Sequence, residues 1–263
     1  LSDQKIHEKV AASFGPNAAA YLSSPSHGNQ AVLEELVRLV GPSASDSVLD
    51  IATGAGHVAL AFAPSVASVM ALDLTPSMLR QVEAEATRRG LGNVSTVQAA
   101  AEEIPFEDGS FDIVTVRLAP HHFADVPGFL TEVHRVLKPG GKFLLVDTTV
   151  PEDDLLDKEI NHLELLRDPS HVRNYRPSEW MAMVQAAGFE ITHTHIGMHA
   201  GGALMEIHGW MDRIGTPEAN REEILGMFMD PTPEFVEALD IQRDGDTVSF
   251  SLPEMTLLAI SAS

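Results

Sequence analysis

The chain has no cysteine, few basic residues and little tyrosine or tryptophan. Without cysteine there can be no disulfide, no thiolate nucleophile and no cysteine-ligated metal. Only 17 lysines and arginines stand against 38 aspartates and glutamates, a net charge of −21, so the mean field of the protein repels phosphate backbones and anionic lipid. Nucleic acid is therefore not an expected partner. The acidic surplus mainly solvates helix faces. No run approaches the ~20 apolar residues that a spanning helix needs, and the opening LSDQKIHEKVAASFGP lacks the unbroken apolar core of a signal peptide. These absences lead us to expect a soluble, cytoplasmic protein with no membrane partner. Neither an internal repeat nor a low-complexity tract is present.

What remains is a regular alternation of short apolar strands and amphipathic helices. Ala31 to Val40 has helical spacing and stops at Gly41-Pro42; strands are expected at Ser47–Ile51, Val66–Asp73, Val94–Ala99, Phe111–Arg117 and Lys142–Val146. Between them lie a helix from Thr75 or Pro76 to Arg89, with Thr75 as its cap, and another from Val126 to Leu137. Such an order argues an α/β fold with a mostly parallel sheet covered by helices on both faces. Beyond it come a charged, largely helical stretch (Pro151 to Arg176), a helix at Ser178–Ala187 and a strand at Phe189–His195. Helices broken by Pro217, Pro231 and Pro233 follow. Asp244-Gly245-Asp246 is then a hairpin turn into Val248–Leu252, with Met255–Ile260 returning as the last strand. The 263 residues suffice for one sizeable core with an added cap. We expect a single domain over 1–263: an N-terminal helical lid (1–40), a cofactor-binding core (41–150) and cap insertions (151–177 and 198–245). The lid or the cap can also serve as a homo-oligomer contact.

Ligands of open parallel sheets sit beyond the carboxyl ends of the strands, where strand order reverses. There VLDIATGAGHVA places Asp50 near the end of a buried strand and Gly54 and Gly56 in the turn that follows. Glycine at both positions lets backbone turn tightly and approach a ligand. VMALDL then ends in Asp73, placed to accept both hydroxyls of a ribose. Ala100 to Glu102 and Arg117 to His122 converge on the same edge. Taken alone, Gly54, Gly56 and Ala59 also satisfy the G-x-G-x-x-G/A pattern of dinucleotide enzymes.

Further along, VQAAAEEIPFEDGSFDIVTVRLAPHHF is followed by HRVLKPGGKFLLVD. In that order, over roughly residues 14 to 197, the chain resembles the class I S-adenosylmethionine-dependent methyltransferases. Within them it is similar to the ubiquinone and menaquinone biosynthesis C-methyltransferases. The resemblance implies a Rossmann-like sheet of seven strands, mostly parallel with the last antiparallel, and S-adenosylmethionine as cofactor with S-adenosylhomocysteine as its product. It also implies that backbone at Ala52, Thr53 and Gly54 holds the methionine portion, Asp73 the ribose, Leu74 and Met78 an adenine face, Ala101 the adenine edge, and the Leu118 carbonyl the methionyl ammonium. Many relatives carry an acidic residue where this chain has Ala100, a place that Glu102 or water would have to fill. Tyr21 lies in a segment resembling the family's N-terminal lid, where it either covers the methionine end or anchors the first helix. His27 is placed to close the substrate side.

His121 and His122 stand where the transferred methyl should point, so either is a candidate general base. His171, Arg173 and Tyr175 in RDPSHVRNYRPSEW are candidates to face the acceptor, an ion-pair role being open for the arginine. Methyl transfer from a sulfonium needs no metal, and no metal-ligand spacing is defensible among the histidines. The expected acceptor is small and largely apolar, because the C-terminal third is rich in methionine, phenylalanine and leucine. By analogy the favoured reaction is carbon methylation of an aromatic, quinone-like or prenylated metabolite, in the last case with a carbocation that can rearrange or cyclise. Two other readings stay open: a nicotinamide-dependent oxidoreductase, and a nonenzymatic cofactor-binding or assembly protein. Against the first, Tyr175 is followed four places on by Glu179 and Tyr21 by Pro25, so there is no Tyr-x-x-x-Lys.

Overall fold

A computed structural model describes residues 3–15, 28–198 and 204–262. Helix α1 (Asp3–Phe14) precedes α2 (Gln30–Val40), which begins where the Asn29 side chain accepts the backbone N–H groups of Ala31 and Val32 and ends on left-handed Gly41. Leu33, Leu36 and Val40 form its buried stripe. The core then alternates: β1 (Ser47–Ile51), α3 (His57–Phe62), β2 (Ser68–Asp73), α4 (Pro76–Arg89), β3 (Val94–Gln98), β4 (Phe111–Arg117), α5 (Val126–Val136) and β5 (Leu137–Thr148). Thr75 does occupy the N-cap position of α4, but its side chain makes no capping bond to the helix. Its backbone N–H goes instead to Asp73 Oδ1 at 2.8 Å. β5 starts earlier than its apolar run suggests, because Leu137 pairs with Phe111 before a register shift restores the ladder at Ile113 and Lys142.

After β5 come α6 (Asp154–Arg167), α7 (Pro177–Ala186), β6 (Phe189–Met198), β7 (Met205–Glu206), α8 (Ile207–Ile214), α9 (Glu218–Met229), α10 (Pro233–Ala238), β8 (Gln242–Asp244), β9 (Thr247–Phe250) and β10 (Pro253–Ser261). Seven strands make one sheet in the order β3-β2-β1-β4-β5-β10-β6. β1 to β5 are mutually parallel and β10 runs antiparallel to both its neighbours. The expected α/β class and its antiparallel last strand are thus present. Strand order reverses between β1 and β4, which opens a crevice at their carboxyl ends.

The expected hairpin turn at Asp244-Gly245-Asp246 is present, between β8 and β9. β9 pairs with β8 and β7 in a separate three-stranded sheet rather than beside β10. The reason is packing: Phe250 is fully buried against Trp210, ring centroids 5.0 Å apart, and against Phe228 at 4.9 Å. This second apolar cluster joins Ile160 and Leu163 of α6 to Trp210 of α8, Phe228 of α9 and Phe235 of α10. Two stretches far apart in sequence therefore share one helical core over the carboxyl edge of the sheet.

Candidate active site

The loop after β1 is built on two carboxylates. Asp50, wholly buried, accepts hydrogen bonds from the Thr115 hydroxyl on Oδ1 and from the Thr53 hydroxyl and Ala59 N–H on Oδ2, at 2.7, 2.6 and 3.1 Å. Asp73 accepts from Gly54 N on Oδ2 and Thr75 N on Oδ1, both at 2.8 Å. The backbone between is held in a sparsely populated conformation: Ala52 has φ 49°, Gly54 φ 54°, and across the crevice Leu118 has φ 53°. A positive φ at a residue with a side chain costs on the order of 1–3 kcal/mol. That strain is sustained by the bonds from Thr53 N to Leu72 O and from Leu118 N to Val146 O.

A cleft of about 990 Å³, measured out to its open mouth, runs along this edge. Ala52, Thr53, Gly54, Asp73, Leu74, Met78, Ala100, Ala101, Glu102, Arg117 and Leu118 all line it, together with His122. Burial lifts the Asp73 carboxyl above the usual carboxylate range, against the N–H groups of Thr75 and Gly54. Burial likewise holds Arg117 below its ordinary range, against the pull of Glu254 and Asp50.

Two expected cofactor residues do not reach the cleft. Asp50 lies beneath it, its carboxylate spent on the loop. Gly56 (φ 85°) faces α4, where an added Cβ would come within 2.9 Å of Val82. It serves helix packing rather than ligand approach.

Burial raises Asp50 to about 6, against its hydrogen bonds to Thr53, Thr115 and Ala59. A folded pKa above the unfolded one means that this group stabilises most at acid pH. That contribution declines as pH rises from about 4 through about 6, by on the order of 3 kcal/mol. Asp50→Asn can keep all three contacts, since the Thr115 hydroxyl can rotate to accept from the amide. Urea unfolding at pH 4 and pH 7 should show the variant gaining on the wild type as pH rises. Parallel pH curves would rule out a strained carboxylate.

Helix α1 roofs the cleft through His7, Val10 and Phe14, none of which sequence reasoning singled out. It is latched to both sides: Ser13 Oγ to Asp168 Oδ1 and Lys9 Nζ to the Pro169 carbonyl, each 3.1 Å, and His7 Nε2 to Glu102 Oε2 at 3.4 Å. Tyr21 and His27 lie outside the described residues.

A second chamber adjoins the cleft and shares Phe14, Leu118 and His122 with it. His121 lines it, with Nδ1 2.6 Å from Oδ1 of Asp147, a fully buried residue near the end of β5. Burial pulls the imidazole pKa down, but the charge and hydrogen bond of Asp147 outweigh it and hold His121 above its ordinary value. Burial also raises Asp147, so the pair retains its proton to unusually high pH. Its Nε2 has no partner among the described residues. His122 differs: burial and then His121 drive it down to about 3, leaving a neutral ring whose Nδ1 lies 3.1 Å from the Ser170 carbonyl. The structure thus separates two neighbours that sequence treated alike.

His171, Arg173 and Tyr175 line neither space. His171 is buried with Nε2 3.1 Å from Asn161 Oδ1. Arg173 pairs with Glu179 at 3.0 Å and Asp157 at 3.3 Å, and Tyr175 packs edge-on to Trp180. The contacts of that charged stretch are made within the cap, so the acceptor-facing expectation is corrected to a structural one. The cap residues that do line the chamber are Glu164, Arg167, Asp168, Met205, Trp210, Arg213 and Leu252. Among the described residues no cluster of three metal-ligating side chains exists, and no helix is long and apolar enough to cross a membrane.

Residues 49–145 match the family model for a methyltransferase domain. Over 249 residues the chain is 37% identical to YcgJ of Bacillus subtilis strain 168, described as an uncharacterized methyltransferase, covering 94% of this chain and 97% of the relative. The crystal structure of YcgJ superposes with a TM-score of 0.80, over 88% of this chain and 98% of that one. A Bacillus halodurans C-125 protein solved as a candidate methyltransferase gives 0.82 at 36% identity, over 89% and 100%. A shorter similarity, 37% over 136 residues, covers 50% of this chain and 57% of the ubiquinone/menaquinone biosynthesis C-methyltransferase UbiE of Geobacter sp. strain M21.

Proposed function

We propose, from the premise that this chain belongs to the S-adenosylmethionine-dependent methyltransferases, that it methylates a small acceptor held in the second chamber, at carbon on an aromatic, quinone-like or prenylated framework. One observation carries the reading: the cleft beyond β1 and β2 and the histidine-lined chamber meet at Leu118 and His122. The cleft fits the cofactor, because a Cβ built on Gly54 meets no atom of the described residues within 4 Å at the strained turn. Asp73 accepts the ribose hydroxyls, Leu74 and Met78 cover the adenine, and the Ala101 backbone meets its edge. Ala52, Thr53 and the Leu118 carbonyl hold the methionyl end.

When bound, the cofactor supplies an electrophilic methyl on a cationic sulfur, whose bond to carbon breaks as the acceptor's new bond forms, leaving S-adenosylhomocysteine. The protein positions and dries the site. α1 and the cap exclude water, and correct near-attack geometry is worth on the order of 7 kcal/mol or more in favourable systems. His121 Nε2 receives the proton that the acceptor loses, while Asp147 fixes the ring through Nδ1. Phe14, Leu118, Met205, Trp210 and Leu252 favour an apolar acceptor body. Carbon as the methylated atom is supported by the similarity to a C-methyltransferase. The acidic surface and small chamber favour a metabolite of the cytoplasm over nucleic acid or membrane as partner.

Calorimetric titration tests this. S-adenosylhomocysteine should bind and NADH should not, and Asp73→Ala should weaken the former by about 1–3 kcal/mol through loss of a charged acceptor. Binding of NADH in place of S-adenosylhomocysteine would return the glycine loop to a dinucleotide enzyme. Unchanged affinity in folded Asp73→Ala would remove the ribose assignment.

A further inference from the structure

One guanidinium in the second chamber has no task in methyl transfer as described. Arg167, the last residue of α6, has a side chain only 12% exposed and lies 4.5 Å over the Trp210 ring. Its Nε donates to the Trp210 carbonyl at 3.2 Å. Glu164 approaches Nη1 only to 3.8 Å, beyond hydrogen-bond length. Indole and carbonyl therefore hold the guanidinium in place, while its terminal nitrogens carry no hydrogen bond among the described residues.

Arg213 joins it in the same wall, three residues after Trp210 on α8 and so on the same helix face. Two of the nearby carboxylates are already committed: Asp147 to His121, and Asp168 to Ser13 and Ser170. In a chain of net charge −21, two arginines in one chamber offset the two carboxylates, Glu164 and Asp168, that share its wall. A guanidinium held over an aromatic ring, with terminal donors that make no hydrogen bond among the described residues, matches a planar or tetrahedral oxyanion, to which it can bond in bidentate fashion.

We propose that the acceptor carries an acidic group, a carboxylate or a phosphate, bound by Arg167 with Arg213 beside it at the cap end of the chamber. The apolar body of the acceptor then lies along Trp210 and Met205, and the atom to be methylated faces His121. This rests on the reading of the chamber as the acceptor site.

The test is calorimetry on protein saturated with S-adenosylhomocysteine, using 2-naphthoate, 2-naphthyl phosphate and the uncharged 2-naphthamide as probes. At least one acid should bind about tenfold or more tighter than the amide, and the tighter acid names the group. Arg167→Gln should erase that preference and Arg167→Lys restore part of it. Equal binding of acids and amide, no binding of either acid, or an acid preference that survives Arg167→Gln would overturn the proposal. S-adenosylhomocysteine affinity, measured on every sample, keeps the two readings apart. If it binds normally and no acid preference exists, only the anion assignment fails; if it does not bind the wild type, the cleft assignment fails first. Should Arg167→Gln lose S-adenosylhomocysteine through misfolding, Arg213→Gln and the wild-type acid-to-amide ratio decide.

Discussion

Gly54→Val should abolish S-adenosylhomocysteine binding, with affinity falling by more than about a hundredfold, while the folded core persists. Two effects act together. At φ 54° the position lies in the left-handed region, which a β-branched side chain enters only with strain, and the preferred escape is to swing the turn away. Since the built Cβ meets nothing among the described residues within 4 Å, the two added methyls project into the cleft that the cofactor is proposed to fill. The first effect also pulls Gly54 N off Asp73, which loosens the ribose acceptor. Calorimetry reads the affinity and circular dichroism the fold. A folded variant with normal affinity would show that the ligand does not approach this backbone. Gly54→Ala should fall between, because it keeps the strain but adds less volume.

How much of this was legible in sequence depends on whether the signal was local. The β1 turn was: apolar run, carboxylate and paired glycines lie within a dozen residues, and their geometry follows from backbone sterics alone. Yet that pattern could not tell which carboxylate and which glycine meet the ligand. Asp50 and Gly56 are turned inward by partners 65 and 26 residues away, Thr115 and Val82. The mostly parallel sheet was equally accessible from alternation of strand and helix, whereas the packing of β9 was decided by Trp210 and Phe228, which no periodicity connects to it. The acceptor chamber was the least legible part. Its walls come from β5, α6, α8 and the Leu252 segment, brought together by the cap core, and a charged stretch with more obvious chemistry, Arg173 and Tyr175, proved to be bonded to itself. Asp147 carried a usable signal. It closes an apolar strand as Asp50 does, next in the sheet to the strand that leads into His121 and His122.

Asp147→Asn should lower turnover by about a hundredfold or more while leaving S-adenosylhomocysteine affinity unchanged. In the wild type the carboxylate accepts the His121 Nδ1 proton at 2.6 Å, which leaves Nε2 as the nitrogen that exchanges protons with the chamber. Asparagine removes the charge that holds the imidazole pKa above its ordinary value, and its amide can donate to Nδ1, placing the ring proton on Nε2 instead. The sign of the pH effect follows. A base acts only when deprotonated, so wild-type turnover should rise with pH through a pKa above 6.5, the ordinary histidine value, and the variant's limb should move to lower pH as its plateau drops. Nitrogen-15 spectra of the histidine rings, titrated with and without S-adenosylhomocysteine, give both tautomer and pKa without any acceptor. A merely structural Asp147 would lower the melting temperature and leave the limb where it was. A role through His121 shifts the limb, and Asp147→Glu, which restores the charge, should shift it back. If His121→Gln retains full turnover with the wild-type pH profile, the proton leaves by another route and the pair is only a buried ion pair.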